Sequence, residues 1–324
     1  MTHDTLLAEF DGYSLESTSA GQMDMPHNYN YFLMALVGTI GLISGCSDGS
    51  DPLGTGRLSL GISDGPVHDA TKVCVAFDEV EFKSNSQTTV VTLDPPKTIN
   101  LLAFQGANAA PLLISQELPA GSYQWMRLGV DAVRGTSGGA DDTGGVDCDG
   151  DESYIVMSTG TYNLYVPSGE NNGLKLVSGF TVPVNGTASF TAEFDLMKSV
   201  TAPDGLSPDV LLRPTIRLVD NVEVGTLTGT VSNGLAAPGD CEPSVFVFNE
   251  GVTPNAIEEM VDDPNDPVAT AIVNFGEAAY EYTVGYLLAG NYNVAFTCDG
   301  EIFSPTQGTA ASIVAGAITE TNFL

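Results

Sequence analysis

The alternation of apolar and polar positions predicts short β-strands along most of the chain from Gly56 onward. Apolar residues alternate with polar ones in the run Leu58–Ile62 and again in the run Val73–Phe77. A period of two places successive side chains on opposite faces of a strand, so each run offers one face to a core. Residues that favour turns separate these runs at the spacing typical of an all-β sandwich.

The same pattern predicts the other strands before Asn221, with two segments left open. After a bulge or register shift the second strand continues through Val80 and Phe82, and Pro95-Pro96 end the third. Periodicity does not decide whether Asn100–Gln105 and Pro111–Glu117 are helical turns or apolar connections. The remaining strands are expected at Thr89–Leu93, Met126–Val130, Tyr154–Met157, Tyr162–Val166, Phe180–Val184, Thr187–Phe194 and Val210–Val219.

Asn185-Gly186 predicts a hairpin between Phe180–Val184 and Thr187–Phe194. Asn and Gly tolerate positive φ at both turn positions, which matches the twist of paired strands. Pro183 lacks an N–H group and is therefore expected at a sheet edge or a bulge.

A second series of strands follows a junction at Asn221–Gly225. Asn255–Met260 allows one helical turn between them. We therefore expect two tandem β-sandwiches of immunoglobulin-like type, residues 56–221 and 222–324, rather than one large barrel. The expected strands are Gly225–Val231, Val245–Phe248, Val268–Val273, Tyr280–Val284, Asn291–Phe296 and Ala311–Ile318.

The segment before the first strand carries an apolar run, Tyr31–Ile43. This run leads into the sequence Leu42-Ile43-Ser44-Gly45-Cys46. The run is too short to span a membrane and has the length of the apolar region of an export signal. The small residues before Cys46 resemble the lipobox of bacterial lipoproteins. That resemblance implies that residues 1–45 are a signal peptide and that the Cys46 thiol carries a diacylglycerol. A membrane would then be one partner, reached through a lipid anchor.

The leader departs from an ordinary signal, because Met1–Asp24 holds five carboxylates and no Lys or Arg. A true start at Met23 or Met25 would explain this. Residues 46–55 are rich in Gly, Ser and Asp and are expected to form a tether. Ser47 follows the lipobox Cys where an Asp would resemble an inner-membrane retention signal, so the expected location is the outer membrane of the envelope.

The charge distribution excludes nucleic acid as a partner. The formal net charge is -31, and all ten Lys and Arg residues lie between Arg57 and Arg217. Nucleic acids and anionic lipid headgroups are bound chiefly through Lys and Arg, which are absent from Leu218 to the end of the sequence. Solubility in a salty environment explains the acidity more simply than cation binding does.

Five cysteines are present, and the lipobox accounts for one of them. An even remainder in an exported protein suggests two disulfides, for which three pairings exist. The division into two sandwiches selects Cys74 with Cys148 and Cys241 with Cys298. Metal ligation competes poorly, since the sequence has no CxxC pair and His68 is the only His after Cys46.

Several short blocks stand out between Gly56 and Asn221. They are Gly56–Ile62 with Asp64-Gly65-Pro66, Leu101–Gln105, Leu118–Tyr123 with Met126-Arg127-Leu128, Val166–Glu170 with Gly173–Leu176, Phe194-Asp195-Leu196 with Lys198-Ser199-Val200, and Leu212–Val219. Together the blocks resemble one bacterial lipoprotein family, the domain of unknown function family 4382. The resemblance implies a lipid-anchored β-sandwich of transthyretin-like type with no established activity.

One phrase recurs in both halves of the chain. Leu118-Pro119-Ala120-Gly121-Ser122-Tyr123 returns as Leu287-Leu288-Ala289-Gly290-Asn291-Tyr292. In both, Gly permits a tight turn and Tyr begins a strand. The phrase resembles carboxypeptidase-regulatory-like and transthyretin-like domains, which the second half is expected to match.

The acidic run Asp147-Cys148-Asp149-Gly150-Asp151-Glu152 is the candidate metal site. Asp147, Asp149 and Asp151 are its candidate Ca²⁺ ligands, since alternating carboxylates can converge on one ion. The EF-hand pattern fails, because Glu152 stands where Gly is needed and Ser158 where the bidentate Glu belongs. A solvated loop is the simpler interpretation, and no other cofactor is expected.

The remaining candidate residues, a histidine, four aromatic residues and three basic residues, are expected to have structural rather than catalytic or binding roles. His68 lies beside Asp69 near a turn with no GxSxG-type motif, so hydrolase chemistry is not expected. Trp125, Tyr123, Tyr162 and Tyr165 could stack on a glycan, but covering the core is the simpler role. Lys198, Arg213 and Arg217 are each expected to pair with an acid such as Asp195.

The sequence therefore predicts a non-catalytic envelope lipoprotein that binds a protein or glycan. The alternatives are a structural or assembly component of the envelope with no small ligand, and Ca²⁺-dependent glycan binding. An exposed strip of Tyr and Trp would favour binding, whereas an unpaired edge strand would favour assembly.

Overall fold

The computed structural model describes residues 54–67, 69–135, 142–167, 173–201, 209–237, 239–257, 263–276 and 279–324. The predicted leader, Cys46, nearly all of the predicted tether, and His68 lie outside these residues. Contacts group Ser50–Leu324 into one compact unit. The described part of the chain is nearly all β, which confirms the predicted fold class. None of its helices has the length and apolarity that a membrane crossing requires.

The strands before Asn221 form what we call the N-terminal sandwich. Its smaller sheet has the strand order β13-β10-β1-β4, and its larger sheet has the order β11-β12-β7-β6-β2-β5-β8, with β3 paired to β2 and β9 to β5. The strands are β1 (Thr55–Gly65), β2 (Ala70–Ser84), β3 (Thr88–Asn100), β4 (Ala110–Pro119), β5 (Gly121–Asp131), β6 (Tyr154–Met157), β7 (Gly160–Tyr165), β8 (Leu174–Leu176), β9 (Phe180–Val182), β10 (Thr187–Asp195), β11 (Val200–Thr201), β12 (Val210–Leu212) and β13 (Thr215–Asp220).

The core of this sandwich lies between the two sheets. The alternating residues Leu58, Leu60 and Ile62 of β1 are all buried in it, as the period of two predicts. Phe77 of β2 meets Phe194 of β10 edge to face, with ring centroids 6.4 Å apart. The predicted irregularity in the second strand is confirmed, because the pairing of β2 shifts register between Phe77 and Glu79.

Three predictions for this half need correction or completion. The third strand does not end at Pro95-Pro96, because β3 runs on to Asn100. Its pairing passes from Thr92, opposite Glu79, to Lys97, opposite Phe77, so both prolines lie where no ladder pair forms. Pro111–Glu117 belongs to strand β4, whereas Asn100–Gln105 contains a 3-10 turn over Leu101–Ala103.

The hairpin prediction at Asn185-Gly186 is wrong, although a turn does form there. Asn185 has φ 53°, and the Gly186 N–H donates to Pro183 O over 3.2 Å. The strands on either side join different sheets, since β9 pairs with β5 and β10 pairs with β1 in parallel. Two further backbone hydrogen bonds hold the turn against β1. The Asn185 N–H donates to Thr55 O, and the Arg57 N–H donates to Gly186 O.

The strands after Asn221 form the C-terminal sandwich, with sheet orders β17-β18-β14-β21 and β16-β15-β19-β20. Its core includes Leu227, Val247, Val284 and Phe296. The strands are β14 (Val224–Val231), β15 (Ser244–Asn249), β16 (Ala269–Ile272), β17 (Asn274–Phe275), β18 (Tyr280–Leu288), β19 (Gly290–Thr297), β20 (Phe303–Ile313) and β21 (Ile318–Glu320).

One strand prediction for the C-terminal sandwich is wrong, and the helical turn predicted at Asn255–Met260 is only partly covered by the described residues. Ala311–Ile318 is not one strand, because a turn closed by Ala317 N–H and Val314 O separates β20 from β21. Gly316 has φ 69° in that turn. Asn255–Ile257 is not helical, and residues 258–260 lie outside the described ones. The short helices are α1 (Leu196–Ser199) and α2 (Asn233–Ala236).

The two sandwiches contact each other through both apolar and polar groups. Met197 of α1 packs against a cluster that includes Phe246 and Phe303 on the outer side of β15 and β20. The Lys198 Nζ donates to Pro267 O over 2.5 Å, and the Tyr286 hydroxyl donates to Ala107 O over 3.1 Å. The boundary predicted at Asn221 stays a prediction.

Candidate functional site

The acidic run predicted to bind Ca²⁺ lies in the connection between β5 and β6. Three contacts fix this connection to β2 and β3. The first is the disulfide between Cys148 and Cys74. The Asn100 side chain also donates to Val146 O over 2.8 Å, and the Thr98 hydroxyl donates to Gly150 O over 2.9 Å.

A lysine of β2 supplies the positive charge inside this loop. The ammonium of Lys72 is 2.5 Å from Asp142 Oδ1, and the two side chains are 6% and 8% exposed. The ammonium also donates to Asp147 O over 3.0 Å. Desolvation acts to lower the pKa of Lys72, but the hydrogen bond that its ammonium donates to Asp142 and the nearby negative charges outweigh it and raise that pKa. The loop therefore folds around an internal cation that sequence reasoning did not identify.

The structure separates the three candidate Ca²⁺ ligands. Asp149 Oδ2 accepts from both the backbone N–H and the hydroxyl of Thr143, each over 2.7 Å, and these bonds lower the pKa of Asp149. Asp147 and Asp151 are exposed. Among the described residues, no group of three or more His, Cys, Asp or Glu side chains is arranged to hold a metal ion. Asp141 lies outside that set, and Ca²⁺ binding stays a prediction.

Both predicted disulfides are confirmed. Cys74 pairs with Cys148, and Cys241 pairs with Cys298. Each bond links residues within one sandwich, across sequence separations of 74 and 57. Each therefore constrains a long stretch of the unfolded chain.

The four aromatic residues considered for glycan stacking do not form one exposed platform. Tyr123 is 3% exposed and stacks on Phe180, with ring centroids 5.0 Å apart. Trp125 is half-buried, and the Lys175 ammonium lies 4.5 Å from the centroid of its ring. Tyr123 is part of the buried core of the N-terminal sandwich, as its simpler predicted role requires.

The smaller sheet of the N-terminal sandwich carries buried acids that sequence reasoning missed as a group. Asp64, Glu193 and Asp195 are 3%, 8% and 9% exposed. In the parallel pairing of β1 and β10, Ser63 lies opposite Glu193 and Gly65 opposite Asp195, so the two acids of β10 share one side. Alternation assigns that side to solvent, but the C-terminal sandwich covers it.

Burial is the main reason why these carboxyl groups have raised pKa values. The pKa of Glu193 rises to about 7 and that of Asp195 to about 6, although Arg217 and Lys198 partly offset the effect. Burial also raises the pKa of Asp64 well above its usual value, and Asp195 and Glu193 add to it. Within the described part of the chain, neither carboxylate oxygen of Asp64 has a hydrogen-bond partner. The N–H groups of Leu196 and Gly65 point toward it and lower its pKa without reaching hydrogen-bond geometry.

Two of the three predicted ion pairs form, those of Arg217 and Lys198, and both involve acids other than Asp195. Among the described residues the Arg213 side chain has no ion pair, and only its backbone N–H makes a hydrogen bond. Arg217 pairs with Glu193 on the neighbouring strand. Lys198 lies 3.6 Å from Asp266 of the C-terminal sandwich, and the Asp195 carboxylate instead accepts from Lys198 N–H at the start of α1. The Arg213 N–H donates to Ser199 O. The alternation of apolar and polar residues could not predict that Lys198 would pair with an acid of the other sandwich.

Comparison with known families identifies the N-terminal sandwich. Residues 55–214 match the family model described as "Domain of unknown function (DUF4382)". This match supports the resemblance noted in the sequence blocks, and the segment is similar to the DUF4382 family. No curated protein matches the chain.

Solved structures give only weak similarities. The chain is similar to the TIE protein of Bacillus anthracis, with 13% identity, a TM-score of 0.19, and coverage of 83% of this chain and 33% of that one. A leucine-rich repeat protein from Bacteroides thetaiotaomicron has 15% identity and a TM-score of 0.19, with coverage of 83% of this chain and 26% of that one. The minor pilin of Streptococcus agalactiae has 12% identity and a TM-score of 0.20, with coverage of 82% of this chain and 94% of that one. This chain thus spans a third or less of the first two proteins, and similarities at this level carry no argument about function.

Proposed function

We propose that this protein is a lipid-anchored, non-catalytic interaction module of the bacterial envelope. The observation that carries the proposal is the use of its cysteines. Cys74, Cys148, Cys241 and Cys298 are all consumed in two disulfides, one in each sandwich. Disulfides of this kind persist in exported proteins, and they leave Cys46 as the single remaining thiol, at the end of an apolar run.

The non-catalytic part of the proposal is supported by how the buried reactive groups are used. Glu193 pairs with Arg217, and the Asp195 carboxylate accepts a backbone N–H at the start of α1. Lys72 pairs with Asp142 inside the acidic loop. Each of these groups therefore has a structural task. Because Tyr123 is buried and Lys175 covers Trp125, a protein partner is favoured over a glycan.

Mass spectrometry of the mature amino terminus tests the anchor. We expect a chain that begins at Cys46 and carries acyl groups, and that fractionates with membranes because two or more chains anchor stably. Cys46→Ser should leave an unprocessed or soluble chain with unchanged circular dichroism. A native protein recovered in the soluble fraction, with residues before Cys46 still attached, would overturn the proposal.

An assembly role is the second candidate, and strand β20 favours it. This strand of eleven residues ends its sheet and, among the described strands, pairs only with β19. An unpaired strand edge can accept a strand from another chain. Analytical ultracentrifugation over a hundredfold range of concentration tests this role. A sedimentation coefficient that rises with concentration, and that no longer rises in Ala310→Pro, is expected. A monomer at all concentrations would contradict it.

A further inference from the structure

The C-terminal sandwich covers the outer side of the smaller sheet of the N-terminal sandwich, together with α1, and we call this contact the joint. Gly65 of β1 lies against Thr270 of β16, whose hydroxyl oxygen would be 3.5 Å from a Cβ atom at Gly65. From α1, the Lys198 ammonium donates to Pro267 O, and Met197 packs on an apolar cluster of the C-terminal sandwich. Strand positions that alternation assigns to water are therefore buried in the joint.

Three buried acids and two basic side chains meet in the joint. Glu193, Asp195 and Asp266 are 8%, 9% and 6% exposed. Arg217 pairs with Glu193 inside the N-terminal sandwich, whereas Lys198 lies 3.6 Å from Asp266 across the joint. Full ionisation of the three acids would leave one negative charge that neither base balances. Burial of such a charge is costly, so the docked arrangement favours a protonated acid.

The other groups around Glu193 and Asp195 do not remove this imbalance. On the C-terminal side, the hydroxyl groups of Tyr286 and Tyr292 have pKa values raised by burial, so they stay neutral. Burial likewise raises the pKa of Glu193 to about 7 and that of Asp195 to about 6. The charged and titratable neighbours of the two acids are Asp64 on β1, Arg217 on β13, Lys198 on α1, Asp266 before β16, Tyr286 on β18 and Tyr292 on β19.

Docking of the C-terminal sandwich, rather than folding of the N-terminal one, supplies this burial. Glu193 and Asp195 lie opposite Ser63 and Gly65 of β1, at alternate positions on the outer side of the smaller sheet. Without the C-terminal sandwich both carboxyl groups would lie in water and would lose the burial that raises their pKa values. The docked state therefore binds protons that the separated state releases. Docking must then weaken as pH rises, by up to about tenfold in its equilibrium constant per pH unit for each proton.

Each sandwich can stay folded when the joint opens. Each has its own hydrophobic core and its own disulfide. Asn221 is held to β10 by side-chain hydrogen bonds with Thr191 and Ser189, and β14 begins at Val224. Val222 lies between these fixed points and is 75% exposed, so the chain can pivot there.

We propose that the joint is a pH-sensitive contact, in which the C-terminal sandwich stays docked while Glu193 and Asp195 hold protons and leaves the smaller sheet once both are ionised. Docking is expected to be strongest near pH 4 and to weaken up to about pH 7. Separation brings both carboxylates into water and leaves the pair of Glu193 and Arg217 intact on the smaller sheet. The inference depends neither on the lipid anchor nor on the identity of a partner.

Hydroxyl-radical footprinting of the purified full-length protein at pH 5 and pH 8 tests the inference. Mass spectrometry measures the oxidation of Met197, Tyr286 and Tyr292 in the joint, relative to Leu324, which is 99% exposed. We expect these rates to rise by about twofold or more at pH 8, since the side chains lose their packing contacts. Tyr154, which is fully buried within the N-terminal sandwich, should not change. Equal rates at both pH values would overturn the inference, and so would a parallel rise at Tyr154, because it would mean unfolding.

Substitutions assign the opening to the two carboxyl groups. The double variant Glu193→Gln with Asp195→Asn keeps the shapes of both side chains but cannot ionise, so its joint should stay closed at pH 8. Each single substitution should remove part of the rise in oxidation. Glu117→Gln, at an exposed position of β4, should open as the native protein does. A folded double variant that opens at pH 8 to the same extent as the native protein would contradict the assignment.

Discussion

Tyr123 and Tyr292 make equivalent hydrogen bonds in the two sandwiches. The Tyr123 hydroxyl donates to Pro119 O over 2.7 Å, and the Tyr292 hydroxyl donates to Leu288 O over 2.9 Å, in each case four residues earlier. Both residues follow a Gly at which the chain leaves one sheet and enters the other, from β4 to β5 and from β18 to β19. The repeated phrase in the sequence therefore marks the same corner in both halves.

Removing the two hydroxyls should test how much each corner contributes to stability. Tyr123→Phe should lower the free energy of unfolding by about 1 kcal/mol, the usual net value of one hydrogen bond. Tyr292→Phe should cost less, because its hydrogen bond is exposed to water. Urea denaturation measures both. Tyr162→Phe is the matched control, since its hydroxyl makes no hydrogen bond within the described residues. Equal losses in all three variants would contradict the corner role.

The strands could be predicted from sequence because alternation reports burial directly, but their partners could not. Asn185-Gly186 has the composition of a hairpin turn, yet β9 and β10 enter different sheets because the turn bonds to Thr55 and Arg57. Those residues lie about 130 positions earlier in the chain, beyond any local pattern. A strand's sheet is decided by long-range packing, which a periodicity of two does not encode.

The candidate sites also differ in how far they could be predicted, because contacts between residues distant in sequence leave no local pattern. The disulfides followed from counting cysteines and dividing the chain. The ion pair of Lys72 could not be predicted, because its partner Asp142 lies 70 residues away, in a loop without an alternating pattern of apolar and polar residues. Glu193 and Asp195 occupy the alternate positions of β10 that usually face water. Only the second sandwich, which covers that face, makes them buried.

The pair of Lys72 and Asp142 should be essential for the order of the acidic loop. Lys72→Met leaves the Asp142 carboxylate buried without its partner, so we expect a loss of about 3 kcal/mol in the free energy of unfolding. Hydrogen exchange at the amides of Gly144 and Asp149, which donate to Asp142 and to the Tyr154 hydroxyl, should accelerate more than exchange in β10. Lys83→Met is the control, because within the described residues the Lys83 ammonium bonds only to Thr88, at an exposed site. Unchanged exchange in the loop would show that the disulfide and the contacts of Thr98 and Asn100 hold it without the ion pair.

The two disulfides should differ in their accessibility to reductant. Cys74 is fully buried, whereas its partner Cys148 is half-buried, as are both Cys241 and Cys298. Thiol–disulfide exchange requires access to a sulfur atom, so a mild reductant can attack either sulfur of Cys241–Cys298 and should open that bond first under native conditions. Cys74–Cys148 offers only the Cys148 side to attack and should open more slowly. Alkylation followed by peptide mass spectrometry at successive times measures the order, and simultaneous opening of both bonds would contradict it.

The buried acids should make the protein more stable at acidic pH than at neutral pH. The pKa values of Glu193 and Asp195 in the folded protein are about 7 and about 6, above their ordinary values of 4.5 and 3.8. Between about pH 4 and pH 7 the folded state therefore binds more protons than the unfolded state. The free energy of unfolding must then fall as pH rises through this window, by up to about 1.4 kcal/mol per pH unit for each proton.

Urea denaturation at several pH values measures this slope, and substitutions assign it. Glu193→Gln removes one of the titrating groups and should flatten the fall between pH 5 and pH 7. The neighbours of Glu193 that act on this window are Asp195 and Asp64 on the acid side and Arg217 on the basic side. Glu117→Gln, at an exposed position of β4, should leave the slope unchanged. A stability that rises from pH 4 to pH 7 would mean that Arg217 and Lys198 outweigh the burial of these carboxyl groups.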